Sequence, residues 1–317
     1  MARRVLAVLC MCALAAEMGC IDTRTLLAGR MEEVVVDDSG RWFESNRIAL
    51  IDVDGVIGTK RNFLHSGTTV ADVTERLKRA REDGGVRAIV LRINSPGGDV
   101  WSSDTINYEV KRFKEETGKP VVAAITGMGA SGGYYVALAA DRIVASPAAV
   151  TGSVGVIMDS VNVEGLFQKL GVQSVVIKTG EKKDMGSPLR EMTPEERRLM
   201  QQNIESFFQR FVATVRESRK DCTDADMKQI SDGRVLTAQQ ALDLHLVDGI
   251  GYLEDAIADA KRAAGITHAD VVLYRAFPDY TTNIYATAQQ PTLGALEQAL
   301  GALSDAQRPA FLYLYQP

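Results

Sequence analysis

From Arg47 onward the chain alternates short, almost unbroken apolar runs with longer stretches whose apolar residues recur every three or four positions, and this narrows the architecture to an α/β fold. Ile48–Val53, Val86–Ile93 and Val121–Ile125 read as strands buried on both faces. Between them, Thr69–Glu82 carries Val70, Val73, Leu77 and Ala80, and Trp101–Glu116 carries Ile106, Val110 and Phe113, both at helical spacing. Ile143–Ala145, Val154–Met158 and Ser174–Ile177 read as further short strands, with a helix over Val163–Leu170. Thr193-Pro194-Glu195-Glu196 starts a long helix running to about Ser218, with an N-cap threonine, proline in the first turn and glutamate three residues on. Its stripe Met200, Ile204, Phe207, Phe208, Phe211, Val212 and Val215 predicts core or subunit packing. Thr237–Leu244 and Leu253–Ala264 read as shorter helices, and Val271–Tyr274 as a strand.

The remaining sequence is divided by charge and length. Arg3-Arg4 precedes an apolar run, Val5–Ala16, which is short of the ~20 residues needed to span a bilayer and fits the apolar part of a signal peptide. Ala13-Leu14-Ala15 offers a cleavage site, and Cys20 after Gly19 offers lipid attachment. Residues 1–20 are therefore expected to be a signal peptide or anchor, 21–46 a linker with one edge strand, 47–265 the main domain and 266–317 a tail. Within that tail, 293–303 is amphipathic and Phe311–Tyr315 apolar. The chain reads as exported, on the extracytoplasmic side of a membrane. A net charge of −5 gives no footprint for nucleic acid. Cys222 is the one cysteine outside the leader, so no intrachain disulfide is expected; it reads as a bystander in a polar loop. No cofactor or metal is expected.

Chemistry concentrates at Gly127-Met128-Gly129-Ala130-Ser131-Gly132-Gly133-Tyr134-Tyr135. A serine on a glycine-rich turn from strand to helix can stand proud of a sheet, with backbone N–H groups close by for a developing negative charge. Its hydroxyl needs a base. His65, His245 and His268 are the only histidines, and their placement suits none of them to Ser131. A lysine is the other option. Lys178, Lys182 and Lys183 all lie in the segment that follows Ile177, and spacing alone does not choose among them.

Four motifs in order resemble the bacterial signal peptide peptidase A family of serine peptidases, in its short, single-unit form. They are Asn94-Ser95-Pro96-Gly97-Gly98, Gly129-Ala130-Ser131-Gly132-Gly133-Tyr134-Tyr135, Thr151-Gly152-Ser153-Val154-Gly155-Val156, and Lys178-Thr179-Gly180 through Lys183-Asp184 to Gly186-Ser187-Pro188. The resemblance covers roughly 47–264 and implies a crotonase/Clp-like spiral of ββα units with additional C-terminal helices. It makes Ser131 the nucleophile and Lys183, fixed in register by Asp184, the general base. It assigns Ser153 to orienting the lysine, and the N–H groups of Gly98 and Gly132 to the oxyanion hole. A carboxylate facing the base would hold it protonated, so Asp184 is expected to point away. The implied activity is a membrane-associated serine endopeptidase cutting hydrophobic peptides such as cleaved signal peptides, in a ring-like homo-oligomer. The alternatives are an acyl-CoA hydratase or isomerase on the same fold, or a catalytically silent peptide-binding scaffold.

Overall fold

The computed structural model describes residues 31–41, 45–58, 67–276 and 311–315. The leader 1–20 with Cys20, His65 and the amphipathic stretch 293–303 lie outside the described residues.

The strands, in chain order, are β1 (Met31–Asp37), β2 (Arg47–Asp54), β3 (Val56–Gly58), β4 (Gly67–Thr69), β5 (Val86–Ser95), β6 (Gly97–Asp99) and β7 (Val121–Ala130). After them come β8 (Arg142–Ala145), β9 (Val150–Gly152), β10 (Ile157–Met158), β11 (Val235–Thr237), β12 (Gly249–Ile250), β13 (Asp270–Ala276) and β14 (Phe311–Leu314). The helices are α1 (Val70–Glu82), α2 (Val100–Thr117), α3 (Gly132–Ala137), α4 (Glu164–Lys169), α5 (Pro194–Ser218), α6 (Asp224–Ile230), α7 (Ala238–Asp243) and α8 (Leu253–Ala263). A single 3-10 turn spans Glu181–Asp184.

The main sheet runs β1-β13-β2-β5-β7-β8-β12, and β9 and β11 continue it from the end of β7. All pairings from β13 across to β12 are parallel. Parallel neighbours need crossovers, which α1 and α2 supply between β2 and β5 and between β5 and β7. A second sheet, β10-β14-β6-β3-β4, is built from short strands. The chain thus writes a long strand into the first sheet, a short one into the second, then a helix: β2-β3-β4-α1, then β5-β6-α2. This is the spiral of ββα units the resemblance implies, and the fold is α/β as expected. β1 and β13, from the segments read as linker and tail, pair with each other at one edge of the main sheet.

Alternation along the central strands sends side chains to two cores. Ile51, Ile89, Leu91 and Ile125 face the larger one, with Leu77 of α1 and Phe113 of α2; Leu50, Val90 and Val122 face the other, with Ile257 of α8. Each of these large side chains contributes about 1.5–3 kcal/mol by leaving water, and together they fix the plane from which the site residues emerge.

Two expectations need correction. Ser174–Ile177 is not a strand: the backbone is irregular, and Val175 and Ile177 are 82% and 97% exposed. Its β-branched composition suits a strand, but no neighbour within this chain pairs with it. Cys222, read as lying in an open polar loop, is instead buried against the core, and burial raises its thiol above the ordinary range.

Candidate active site

β7 extends to Ala130, past the expected end at Ile125, because Gly127–Ala130 remain in the sheet beside β9. The register Ala130↔Gly152 leaves Ser131 and Ser153 next to each other, one residue beyond adjacent parallel strands. The Ser131 N–H donates to the Gly152 carbonyl at 2.8 Å, which clamps the two turns together. Both serines have positive φ, 52° and 51°. Such backbone costs a non-glycine residue about 1–3 kcal/mol and persists only where its surroundings enforce it. Here the enforcing groups are the Gly152 carbonyl on Ser131 and the Arg234 carbonyl that accepts from the Ser153 N–H, also at 2.8 Å. Both serines line one cleft of about 280 Å³, with Val156, Ile204 and Phe208 as apolar wall. The first half of the α5 stripe therefore walls the cleft, while Phe211 and Val215 enter the core.

The two glycine motifs meet at this point. Gly97 has φ 102°, open in practice only to glycine, and a Cβ placed on it would stand 2.6 Å from the Gly132 nitrogen. Ser95 sets the turn: its hydroxyl donates to the Gly55 carbonyl at 2.6 Å and accepts from the Gly97 N–H at 3.1 Å. Gly98 lies in β6, and Gly132 opens α3. The structure thus brings Ser131, Ser153, Gly98 and Gly132 together.

Residues with no sequence signal hold α3 in place. The Asn107 amide donates to the Tyr135 carbonyl at 2.7 Å, and the Tyr134 hydroxyl to the Leu246 carbonyl at 2.8 Å. The Tyr135 hydroxyl donates to Asp104 at 2.7 Å, and Arg210 grips the same carboxylate through two nitrogens at 2.8 Å. Burial, with Asp104 adding to it, pushes the Tyr135 phenol up to about 12, so it remains a donor at any physiological pH.

Lys183 lies elsewhere. It sits exposed on the 3-10 turn and does not line the cleft. Its neighbours have partners: Lys178 pairs with Asp184 at 2.5 Å and Lys182 with Glu195. The Lys183 ammonium makes no hydrogen bond or ion pair among the described residues. The Asp184 carboxylate faces Lys178 and Arg190, as the expectation that it points away from Lys183 requires. Arg190, foremost, and Lys178 hold Asp184 well below the usual carboxylate range, and Arg190 also draws Glu196 down to about 2. Arg190 thereby ties the lysine turn to the capped start of α5.

No histidine or lysine lines the cleft among the described residues. Of its two acidic groups, Asp232 is held by Arg234 through contacts of 2.6–3.0 Å and lowered by them, which makes it a poor proton acceptor. His245 pairs with Asp226 at 3.3 Å and is no part of the cleft.

The family model for Peptidase family S49 matches residues 113–267, which include the serine turn and the lysine segment. The chain is 36% identical over 234 residues to a putative signal peptide peptidase SppA of Enterococcus faecium, covering 73% of this chain and 67% of that protein. It is 40% identical over 220 residues to a putative protease of Synechocystis sp., covering 69% of this chain and 75% of that one. Among solved structures, a ClpP1 mutant from Listeria monocytogenes aligns with a TM-score of 0.42 and 19% identity, over 66% of this chain and 94% of that one. Family model and relatives agree with the ordered motifs around Ser131 and Lys183: this chain belongs to peptidase family S49, among the signal peptide peptidase A proteins.

Proposed function

We propose that the chain is a serine endopeptidase in which Ser131 attacks a peptide carbonyl and Lys183, delivered by a neighbouring copy in a ring-like homo-oligomer, accepts its proton. The observation that carries this reading is the mismatch between the two halves of the site. The Ser131 cleft has a strained nucleophile and a glycine cradle but no good base, while Lys183 stands unpaired on an exposed arm. Residues 171–181 are all exposed, and Val172, Val175, Val176 and Ile177 among them are apolar. A chain seldom leaves such a run in water unless another surface covers it.

Covering the arm would also dry the lysine. An ammonium in water is protonated at neutral pH, and burial in apolar surroundings favours the neutral amine a general base needs. The amine then takes the Ser131 proton as the hydroxyl oxygen bonds to the carbonyl carbon, and the carbonyl oxygen gains charge facing the N–H groups of Gly98 and Gly132. The protonated lysine returns the proton to the leaving amine, and a water repeats the sequence on the acyl-enzyme. Ser153, beside Ser131, is positioned to accept from the amine and hold it on line. The apolar wall of Val156, Ile204 and Phe208 suits extended, hydrophobic peptides such as released signal peptides.

Export and membrane association are part of the same proposal, supported by Arg3-Arg4 and the run Val5–Ala16. No helix among the described residues is long and apolar enough to cross a membrane.

The test is hydrolysis of an unstructured apolar peptide. Ser131→Ala and Lys183→Ala are each expected to lower kcat by about 10⁴-fold or more, as loss of a member of a concerted pair does. Ser153→Ala should cost about 10- to 100-fold, equivalent to one lost hydrogen bond to a charged or reacting group. Wild-type rates in both dyad variants would refute the assignment.

A further inference from the structure

The second sheet contains a strand that its own sequence neighbourhood does not supply. β14 lies between β6 and β10, antiparallel to both, with Tyr313 opposite Gly98, Leu314 opposite Gly97 and Leu312 opposite Ile157. β10 has no other strand partner among the described residues. The Tyr315 N–H extends the pairing by donating to the Pro96 carbonyl at 2.8 Å.

The Tyr313 carbonyl oxygen sits in the glycine cradle: a Cβ on Gly97 would collide with it, and one on Gly132 would approach it to 2.9 Å. Leu314 lines the cleft with Ser131 and Ser153. The Tyr313 ring is fully buried, stacked on Tyr135 at 5.1 Å and tilted against Phe211 at 4.9 Å, with its hydroxyl donating to the Phe207 carbonyl at 2.8 Å. An extended segment thus enters beside the nucleophile, hydrogen-bonded through its main chain, with one side chain in a fitted pocket. Peptides that bind by strand addition do so in this way, with affinity from the backbone and selectivity from pockets for alternate side chains.

We propose that the groove between β6 and β10 is a strand-binding subsite, that the pocket formed by Tyr135, Phe211 and the Phe207 carbonyl selects an aromatic side chain bearing a hydroxyl, and that residues 311–315 of this same chain are its resident ligand. This rests on the peptidase reading, and adds that the tail competes with substrate. The tail carbonyl at the cradle belongs to Tyr313, so in a substrate the residue in the aromatic pocket is the one whose carbonyl is attacked.

The experiment uses two chains, wild type and Tyr313→Phe, and two synthetic peptides matching residues 308–317, one with the tyrosine and one with alanine in its place. Hydrogen exchange of the unmodified chain is followed in the presence of each peptide. The tyrosine peptide is expected to speed exchange of amides 311–315 at least ten-fold while β5 and β7 amides are unchanged, and the alanine peptide to leave them protected. In activity, Tyr313→Phe, which keeps the ring but loses the hydroxyl bond, should lower KM for an apolar peptide about three- to ten-fold with kcat unchanged, and the tyrosine peptide should inhibit it competitively. Exchange of 311–315 only together with β5 and β7, or equal effects of both peptides, would overturn the proposal by making the strand a permanent staple or the pocket unselective. Displacement of the tail without any hydrolysis by either chain would uphold the subsite and refute the peptidase reading instead.

Discussion

Ser131 illustrates how far single residues can be read. Its turn was legible because glycines on both sides leave few other uses for a serine between a strand and a helix. Its positive φ was not, since that comes from the Gly152 carbonyl in another turn. A direct consequence is that Ser131→Gly removes strain and should raise the melting temperature slightly, by the equivalent of up to about 1 kcal/mol after the entropy cost of glycine, while abolishing hydrolysis. A fall in melting temperature, read by calorimetry on the assembled protein, would mean the serine stabilises the turn it occupies. Ser95, Asn107 and Asp104 had no signature at all. Each acts through a partner 28 to 40 residues away or on another helix, and only the fold brings the pairs together.

The elements were legible where periodicity had a core to face. Val73, Leu77 and Ala80 of α1 are all buried, as their spacing requires. The segment 174–177 failed because a strand-like composition specifies a strand only if an edge is available to pair with it. The lysine turn is an element of another kind, held by charge. Arg190 depresses both Asp184 and Glu196, so their contribution is fully present above the ordinary carboxylate range and is lost as pH falls through the lowered values, near 2 for Glu196. Amide exchange over 181–191 should therefore stay slow at pH 5 and accelerate only as pH approaches about 2. A midpoint near 4 to 4.5 would show that the carboxylates are not held by Arg190. Arg190→Met should loosen the same residues at neutral pH and lower kcat without moving the melting of the main sheet, since β5 and β7 do not depend on that contact.

At the scale of the molecule, the alternation of strands and helices was enough to give the α/β class, and the ordered motifs the family. The tail strand was legible only as an apolar run, since a strand that pairs across some 200 residues of chain leaves no local pattern. The oligomer has its trace in the arm around Lys183, whose apolar residues have no cover in a single chain. Charges placed there should separate the copies: Val175→Asp with Ile177→Asp is expected to give a smaller species by sedimentation, folded but inactive. A variant that stays assembled and active would show that the arm lies outside any contact between copies.

The most direct measurement of a site shared between copies is complementation. Ser131→Ala and Lys183→Ala chains are prepared separately, each inert, then dissociated, mixed in equal amounts and reassembled. With a serine and a lysine drawn from different chains, random assembly pairs two intact groups in about a quarter of the sites, and peptidase activity near that fraction of wild type should return. A mixture as inert as its components, when wild type taken through the same procedure recovers, would contradict the account.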